Sequence, residues 1–137
     1  MQEQHITIFK NIKETDTPFH RPIGHILNRI KNGATKELVK QIRSEKRKTE
    51  RNELKKMLPA ICFSGIFNKR NDSSIQEHTG IICLDFDGYE KNKELLQDKE
   101  NLTKNNYVYS TFISPSGQGL KVLVKIPNDA DNQCKLF

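Results

Sequence analysis

The stretch HTGIICLDFDGYEKN, residues 78–92, decides how the chain is organised. Ile81, Ile82, Cys83 and Leu84 run as a strand into Asp85, Phe86, Asp87 and a glycine, which predicts a strand over residues 80–87. Residues i and i+2 of a strand share a face, about 6.6–6.8 Å apart. Asp85 and Asp87 therefore project together, while Leu84 and Phe86 pack on the other side. Two ionised carboxylates side by side repel, and burying them unpaired costs several kcal/mol. A divalent cation reverses that sign, since Mg²⁺ prefers one or two carboxylates plus substrate phosphate oxygens. A purely local alternative is that Asp87-Gly88 starts a turn and Asp85 caps a neighbouring group.

Outward from this strand, YVYSTFIS and LKVLVKI are β-branched and aromatic strands joined by PSGQG, which predicts an antiparallel hairpin ended by Pro127. The tip carries Ser114, Ser116, Gly117 and Gly119, with Lys121 two residues into the returning strand. Glycines let backbone amides approach a phosphate, and hydroxyls and an ammonium complete an anion site. The spacing is not that of a Walker loop, and Ser-Pro-Ser-Gly is also ordinary turn chemistry. Between the acids and the hairpin, a short polar helix is expected near residues 91–99, followed by a loop, DKENLTKNN.

Upstream, HITIFKNI alternates as a first strand, with Ile6, Ile8 and Lys10 facing one way and Thr7 and Phe9 the other. ETDTPFH reads as a connection. A helix begins at Pro22, with Ile23, Ile26, Leu27 and Ile30 on one stripe and Gly33 closing it. Thr35 is placed to cap a second helix carrying Leu38 and Ile42. RSEKRKTERN has no apolar residue and reads as an exposed helical stretch or a link; Leu54, Met57 and Leu58 resume a helix that Pro59 stops. AICFSGIF reads as one short strand bent at Gly65, and NKRNDSSIQEH as a loop.

The 137 residues suit one domain with one core. No apolar run approaches the roughly 18 residues of a membrane span, and MQEQHITIFK lacks the order of a signal peptide, so a cytoplasmic protein without membrane contact is expected. Cys62, Cys83 and Cys134 read as buried free thiols, two of them in apolar runs. The net charge of +6 is localised: residues 31–56 hold ten Lys/Arg and four Glu, and the remainder is balanced. Such a block either solvates a helical face or steers an anionic partner such as nucleic acid. Candidate nucleic-acid contacts are Lys40, Arg43, Lys46, Arg47, Lys48, Arg51 and Lys55.

Two motif families fail on spacing. LDFDG resembles the first motif of haloacid-dehalogenase-type phosphatases, but about eighty residues precede it, about fifty follow, and the downstream hairpin has the wrong architecture. An EF-hand loop needs its glycine three residues beyond the second acidic ligand, whereas Gly88 follows Asp87 directly.

LPAICFSGIF, HTGIICLDFDG and STFISPSGQGLKVLVKI, in that order, resemble the domain found ahead of virulence-associated protein E-type helicases, within the archaeo-eukaryotic primase/primase-polymerase superfamily. ITIFKNI, ILNRIKNG, LVKQIR and LKKMLP extend the resemblance over nearly the whole chain. It implies an α+β, primase-polymerase-like fold, an N-terminal α/β unit joined to an RRM-like, mostly antiparallel sheet. It also implies a nucleotidyltransferase that binds nucleoside triphosphates and DNA, or RNA, in replication of DNA such as that of a mobile element. Asp85 and Asp87 would then ligate Mg²⁺ or Mn²⁺ in catalysis. Ser114, Ser116, Gly117, Gly119 and Lys121 would bind the nucleotide, and a helicase domain would follow in the parent protein. Lys121 stands where the superfamily has a histidine, and a lysine binds phosphate as a point charge without exchanging a proton near pH 7. The superfamily's third acidic motif has no clear counterpart, Asp129 and Asp131 being poor candidates. The expected domain is therefore C-terminally incomplete, with a weak hold on a second ion. That puts polymerisation by this chain alone in question and leaves a non-catalytic nucleic-acid-binding module as the alternative.

Overall fold

HITIF forms β1 (His5–Phe9), paired antiparallel with β2 (Phe19–Pro22) on one side and β3 (Ala60–Cys62) on the other. The computed structural model describes residues 3–126; Pro127, Asp129, Asp131 and Cys134 lie outside them. The alternation of β1 does not separate a wet face from a dry one, since Ile6, Thr7 and Phe9 are all fully buried. Ile6 packs under α1 (Ile23–Lys31). On the opposite face the Thr7 hydroxyl lies 2.9 Å from His20 Nδ1 and accepts the Phe67 N–H at 2.9 Å. A central strand covered on both sides needs a satisfied polar group on one of them, and threonine provides it.

The predicted stripe on α1 is present: Ile23 and Ile26 are buried, and Leu27 and Ile30 are half-buried against the same core. Pro22 has no side chain to cap this helix, so Glu3 does so from a distance, accepting the Gly24 N–H at 2.6 Å. Next come α2 (Lys36–Ser44) and α3 (Lys48–Lys55). RSEKRKTERN is split between them, because Glu45 and Arg47 are extended. Ile42 is the one fully buried residue of α2, and α3 buries none.

Two expectations fail in the segment that follows. AICFSGIF is not one bent strand: β3 and β4 (Gly65–Phe67) belong to different sheets. Gly65 passes so close to the next strand that a Cβ would collide with the Glu77 carbonyl oxygen. The polar stretch read as a loop contains a 3₁₀ turn, Asp72–Ser74, and β5 (Ile75–His78), antiparallel to β4.

The C-terminal sheet contains β6 (Ile81–Phe86), β7 (Val108–Ile113) and β8 (Leu120–Lys125) in the order β6-β8-β7, all antiparallel. The β7–β8 hairpin is as expected. α4 (Asn92–Thr103) runs on through much of the predicted loop, and Leu95 and Leu102, two turns apart, meet the sheet. Leu84, Leu120, Val122 and Ile113 face α4. On the other face Ile81, Leu123 and Phe112 join Ile6, Ile23, Ile26 and Phe63 in the core shared with the N-terminal elements. Alternation places Cys83 and Asp85 on that second face, beyond the point where the shared core ends. The expectation of buried thiols fails accordingly: Cys62 is half-buried and Cys83 exposed.

The described residues thus form an α+β structure with antiparallel sheets and four α-helices. None of these helices is long and apolar enough to cross a membrane.

Candidate functional site

The register of β6 on β8 sets Asp85 directly opposite Lys121, and the Lys121 Nζ lies 2.6 Å from Asp85 Oδ1. The lysine side chain is 32% exposed and the aspartate 53%. An ion pair that open contributes under about 1 kcal/mol to stability. Folding alone therefore gives little reason for the arrangement, and both groups remain within reach of a ligand.

Asp87 follows β6 and stays on the same face. Its Oδ1 is 2.7 Å from where a Cβ on Gly119 would stand, and the Ser114 Oγ is 3.0 Å from that point. The absent side chain of Gly119 is thus the space in which the second acid and a buried serine hydroxyl converge. Ser114 Oγ is 3.0 Å from Ser116 Oγ, which also accepts the Gln118 N–H at 3.3 Å. The Gly117 N–H closes the turn on the Ser114 carbonyl at 2.9 Å, with Gly117 at φ +80°. Gly88, at φ +82°, turns the chain after the acids, and the Tyr89 N–H donates to the Gln118 carbonyl at 3.0 Å. That bond ties the exit of β6 to the hairpin tip. The Tyr89 hydroxyl donates to Asp98 at 2.7 Å, which raises its pKa.

Arg43, expected on the nucleic-acid face, reaches the same turn. Its Nε and Nη2 donate to the carbonyls of Pro115 and Ser114, each at 3.2 Å, and its side chain lies against Gly117. In a trans peptide the N–H points opposite to the C=O. With the Pro115 carbonyl held toward Arg43, the Ser116 N–H points away from it, and that N–H has no acceptor among the described residues. The turn therefore offers two hydroxyls and one unpaired amide. Hydroxyls and amides are groups that hydrogen-bond an anion.

The other basic residues divide by their neighbours. Lys40 shares a surface groove with Lys36, Val39, Arg43 and Ser44. Arg47 is drawn to Glu45 at 3.1 Å and Glu50 at 3.4 Å; the pairing lowers the Glu45 pKa and raises that of Arg47. Lys46 and Lys48 are exposed, and Arg51 and Lys55 are half-buried on α3. The structure thus brings Asp85, Asp87, Ser114, Ser116, Gly117, Gly119 and Lys121 together, adds Arg43 to them, and leaves the remaining basic residues around α2 and α3.

For a divalent cation the donors available are the two carboxylates, and no group of three His, Cys, Asp or Glu side chains occurs among the described residues. Two carboxylates on one face, beside a turn that carries two hydroxyls and an unpaired amide, suit an ion that completes its shell with phosphate oxygens and water.

A family model described as BT4734-like, N-terminal domain matches residues 53–136, a span that includes the acids, the serine turn and Lys121. No curated protein and no solved structure matches the chain.

Proposed function

This chain belongs to the BT4734-like N-terminal domain family, and for it we propose, on the geometry of its site, a primase-polymerase-type nucleotidyltransferase domain binding Mg²⁺ or Mn²⁺, a nucleoside triphosphate and nucleic acid. The family has no assigned activity, so the support comes from the site. One observation carries it: Asp85 and Asp87 share a sheet face with Lys121 and the Ser114–Gly119 turn. The β6-α4-β7-β8 connection, with the first and third strands adjacent, also has the order of the first four elements of a β-α-β-β-α-β unit. That agrees with an RRM-like sheet of the primase-polymerase kind, and with the resemblance to the domains ahead of virulence-associated E helicases.

The reaction is attack of a 3′-hydroxyl, or of an initiating nucleotide, on the α-phosphate. The hydroxyl proton passes to water, the new O–P bond forms as the bond from the α-phosphorus to the oxygen bridging the β-phosphate breaks, and pyrophosphate leaves with that oxygen. A bound divalent ion would neutralise phosphate charge and favour the attacking alkoxide. Asp85 and Asp87 would hold that ion. Lys121 pairs with Asp85, and its ammonium would also neutralise a phosphate oxygen of the substrate. The hydroxyls of Ser114 and Ser116 and the Ser116 amide would hold the terminal phosphates. Arg43 keeps the turn in the orientation that aims this amide. Lys40, Lys46 and Lys48 would meet the nucleic-acid backbone.

A second reading, a nucleic-acid-binding module without catalysis, is favoured by the Lys121–Asp85 contact itself, because a lysine at 2.6 Å competes with a cation for that carboxylate. Titration of a fluorescent nucleoside triphosphate with and without Mn²⁺ separates the two. The nucleotidyltransferase predicts binding that needs Mn²⁺ and is lost in Asp85→Asn, Asp87→Asn and Lys121→Ala. Metal-independent binding, or full binding by Asp85→Asn, overturns it. The non-catalytic module predicts instead nucleic-acid binding indifferent to EDTA and to Asp85→Asn, with affinity falling steeply as salt rises.

A further inference from the structure

A cavity of about 450 Å³ opens where the β3–β4 turn and the Arg70–Asp72 segment meet β6 at Ile82 and Cys83. Its size lies within the range of small-molecule sites. Ile61, Phe63 and Phe67 supply its apolar surface, and Asp72, a carboxylate with no hydrogen bond or ion pair among the described residues, stands on its polar side. Arg70 lines it too, and is fixed there because its guanidinium donates to the Ile12 carbonyl at 2.5 Å and its N–H to the Thr15 carbonyl at 2.8 Å. Among the described residues β6 is an edge strand of its sheet, so alternate backbone N–H and C=O groups face away from β8.

The position of the cavity is the informative feature. Cys83, Asp85 and Asp87 succeed one another on one face of the same chain segment, so the cavity, the acid–lysine pair and the serine turn lie in line. From Cys83 to Asp87 is four residues, about 13 Å at the rise of a strand. A nucleoside triphosphate has the same polarity: an apolar-faced base with polar edges, then a sugar, then a chain of phosphates. We infer that this cavity takes the nucleoside end of the triphosphate, its base against Ile61 and Phe67 and its sugar hydroxyls toward Asp72. The α-phosphate then lies at Asp85 and the terminal phosphates at the serine turn. The inference rests on the nucleotidyltransferase reading and adds to it where the base and sugar go.

Cys83 lines the cavity and is exposed, and Cys62 lines it from β3, so both thiols report on occupancy. With Mn²⁺ present, alkylation of each cysteine by N-ethylmaleimide is followed by mass spectrometry in the presence of ATP, inorganic tripolyphosphate or a single-stranded oligonucleotide. ATP at ten times its Kd should slow Cys83 modification about tenfold. Tripolyphosphate, bound at the same turn, should leave it close to the rate of the unliganded protein. ATP that competes with tripolyphosphate yet does not protect Cys83 overturns the cavity assignment and leaves the metal–phosphate site standing. If neither compound binds with Mn²⁺, both the assignment and the site are overturned. Protection by the oligonucleotide and not by ATP also overturns the assignment. As a second arm, Cys83→Phe plugs the opening with a residue that strands accept readily. It should weaken ATP binding to the level of tripolyphosphate and leave tripolyphosphate binding unchanged. Undiminished ATP affinity in a folded Cys83→Phe protein refutes the placement.

Discussion

Replacing Gly119 by alanine tests whether the site is built around a missing side chain. The new methyl would stand 2.7 Å from Asp87 Oδ1, 2.9 Å from the Phe86 carbonyl oxygen and 3.0 Å from Ser114 Oγ. Asp87 is exposed and can swing aside. The Phe86 carbonyl belongs to the β6 backbone opposite Leu120 and moves only if the β6–β8 ladder opens. The Ser114 hydroxyl is held beside Ser116 within the buried end of the turn. Overpacking of this kind costs about 1–3 kcal/mol, and at roughly 4 °C per kcal/mol for a chain of this size the melting temperature should fall by about 4–12 °C. The displacement also parts Asp87 from Ser114, so Mn²⁺-dependent nucleotide binding should fall further than the loss of stability explains. Gly88→Ala is the control. Gly88 has no atom within 4 Å of its would-be Cβ, and its only demand is φ +82°, which costs an alanine about 1–2 kcal/mol. Its melting temperature should drop while nucleotide binding by the folded protein stays near normal. Circular-dichroism melts and fluorescence titration of both variants measure the two effects. If Gly119→Ala melts and binds like the unsubstituted chain, or if the two variants lose binding equally, the converging carboxylate and hydroxyl are not what Gly119 accommodates.

Asp85→Asn should change stability by under about 1 kcal/mol in either direction, because the pair it breaks is open to water; a melting temperature lowered by ten degrees or more would assign the pair a structural role instead. Arg43→Ala removes two charge-assisted hydrogen bonds and should cost about 1.5–3 kcal/mol by thermal melting. Triphosphate affinity should fall with it although Arg43 needs no contact with the ligand, and Arg43→Lys should not restore it, since a point charge cannot span both carbonyls. Partial desolvation at the cavity wall pushes up the thiols of both Cys62, which is half-buried, and Cys83, part of whose side chain is open to solvent. Because the thiolate is the reactive form, their alkylation rates should still be climbing at a pH where a denatured control has levelled off; coincident pH profiles would contradict the desolvation.

Local features of this chain were legible before any tertiary contact was known. The i, i+2 spacing put both acids on one face, the β7–β8 hairpin followed from two strands and a glycine turn, and the stripe on α1 marked its buried side. These depend on backbone periodicity over a few residues, which amino-acid order expresses directly. β5 carries no strand signal because it pairs only with the three-residue β4 and its Gln76 and Glu77 are exposed, so no apolar alternation is required of it. The C-terminal half of α4 lacks an apolar stripe in the sequence, because after Leu95 its next residue on the sheet is Leu102, with an exposed Leu96 and polar residues between. The strand through Gly65 was read as continuous, since nothing local reveals that its two halves join different sheets.

The site depends on relations between distant residues. That Asp85 faces Lys121 is a matter of register between strands 36 residues apart, and a slip of one position would send the lysine to the opposite face. That Arg43 holds the serine turn joins groups 71 and 72 residues apart, and charge along the chain marked it only as one of many basic residues. Which groups could serve as ligands is a property of side-chain chemistry, carried by the order of residues alone. Which of them meet is set by how the sheets pack and by the pairing that packing selects, and those are decided over the whole folded chain.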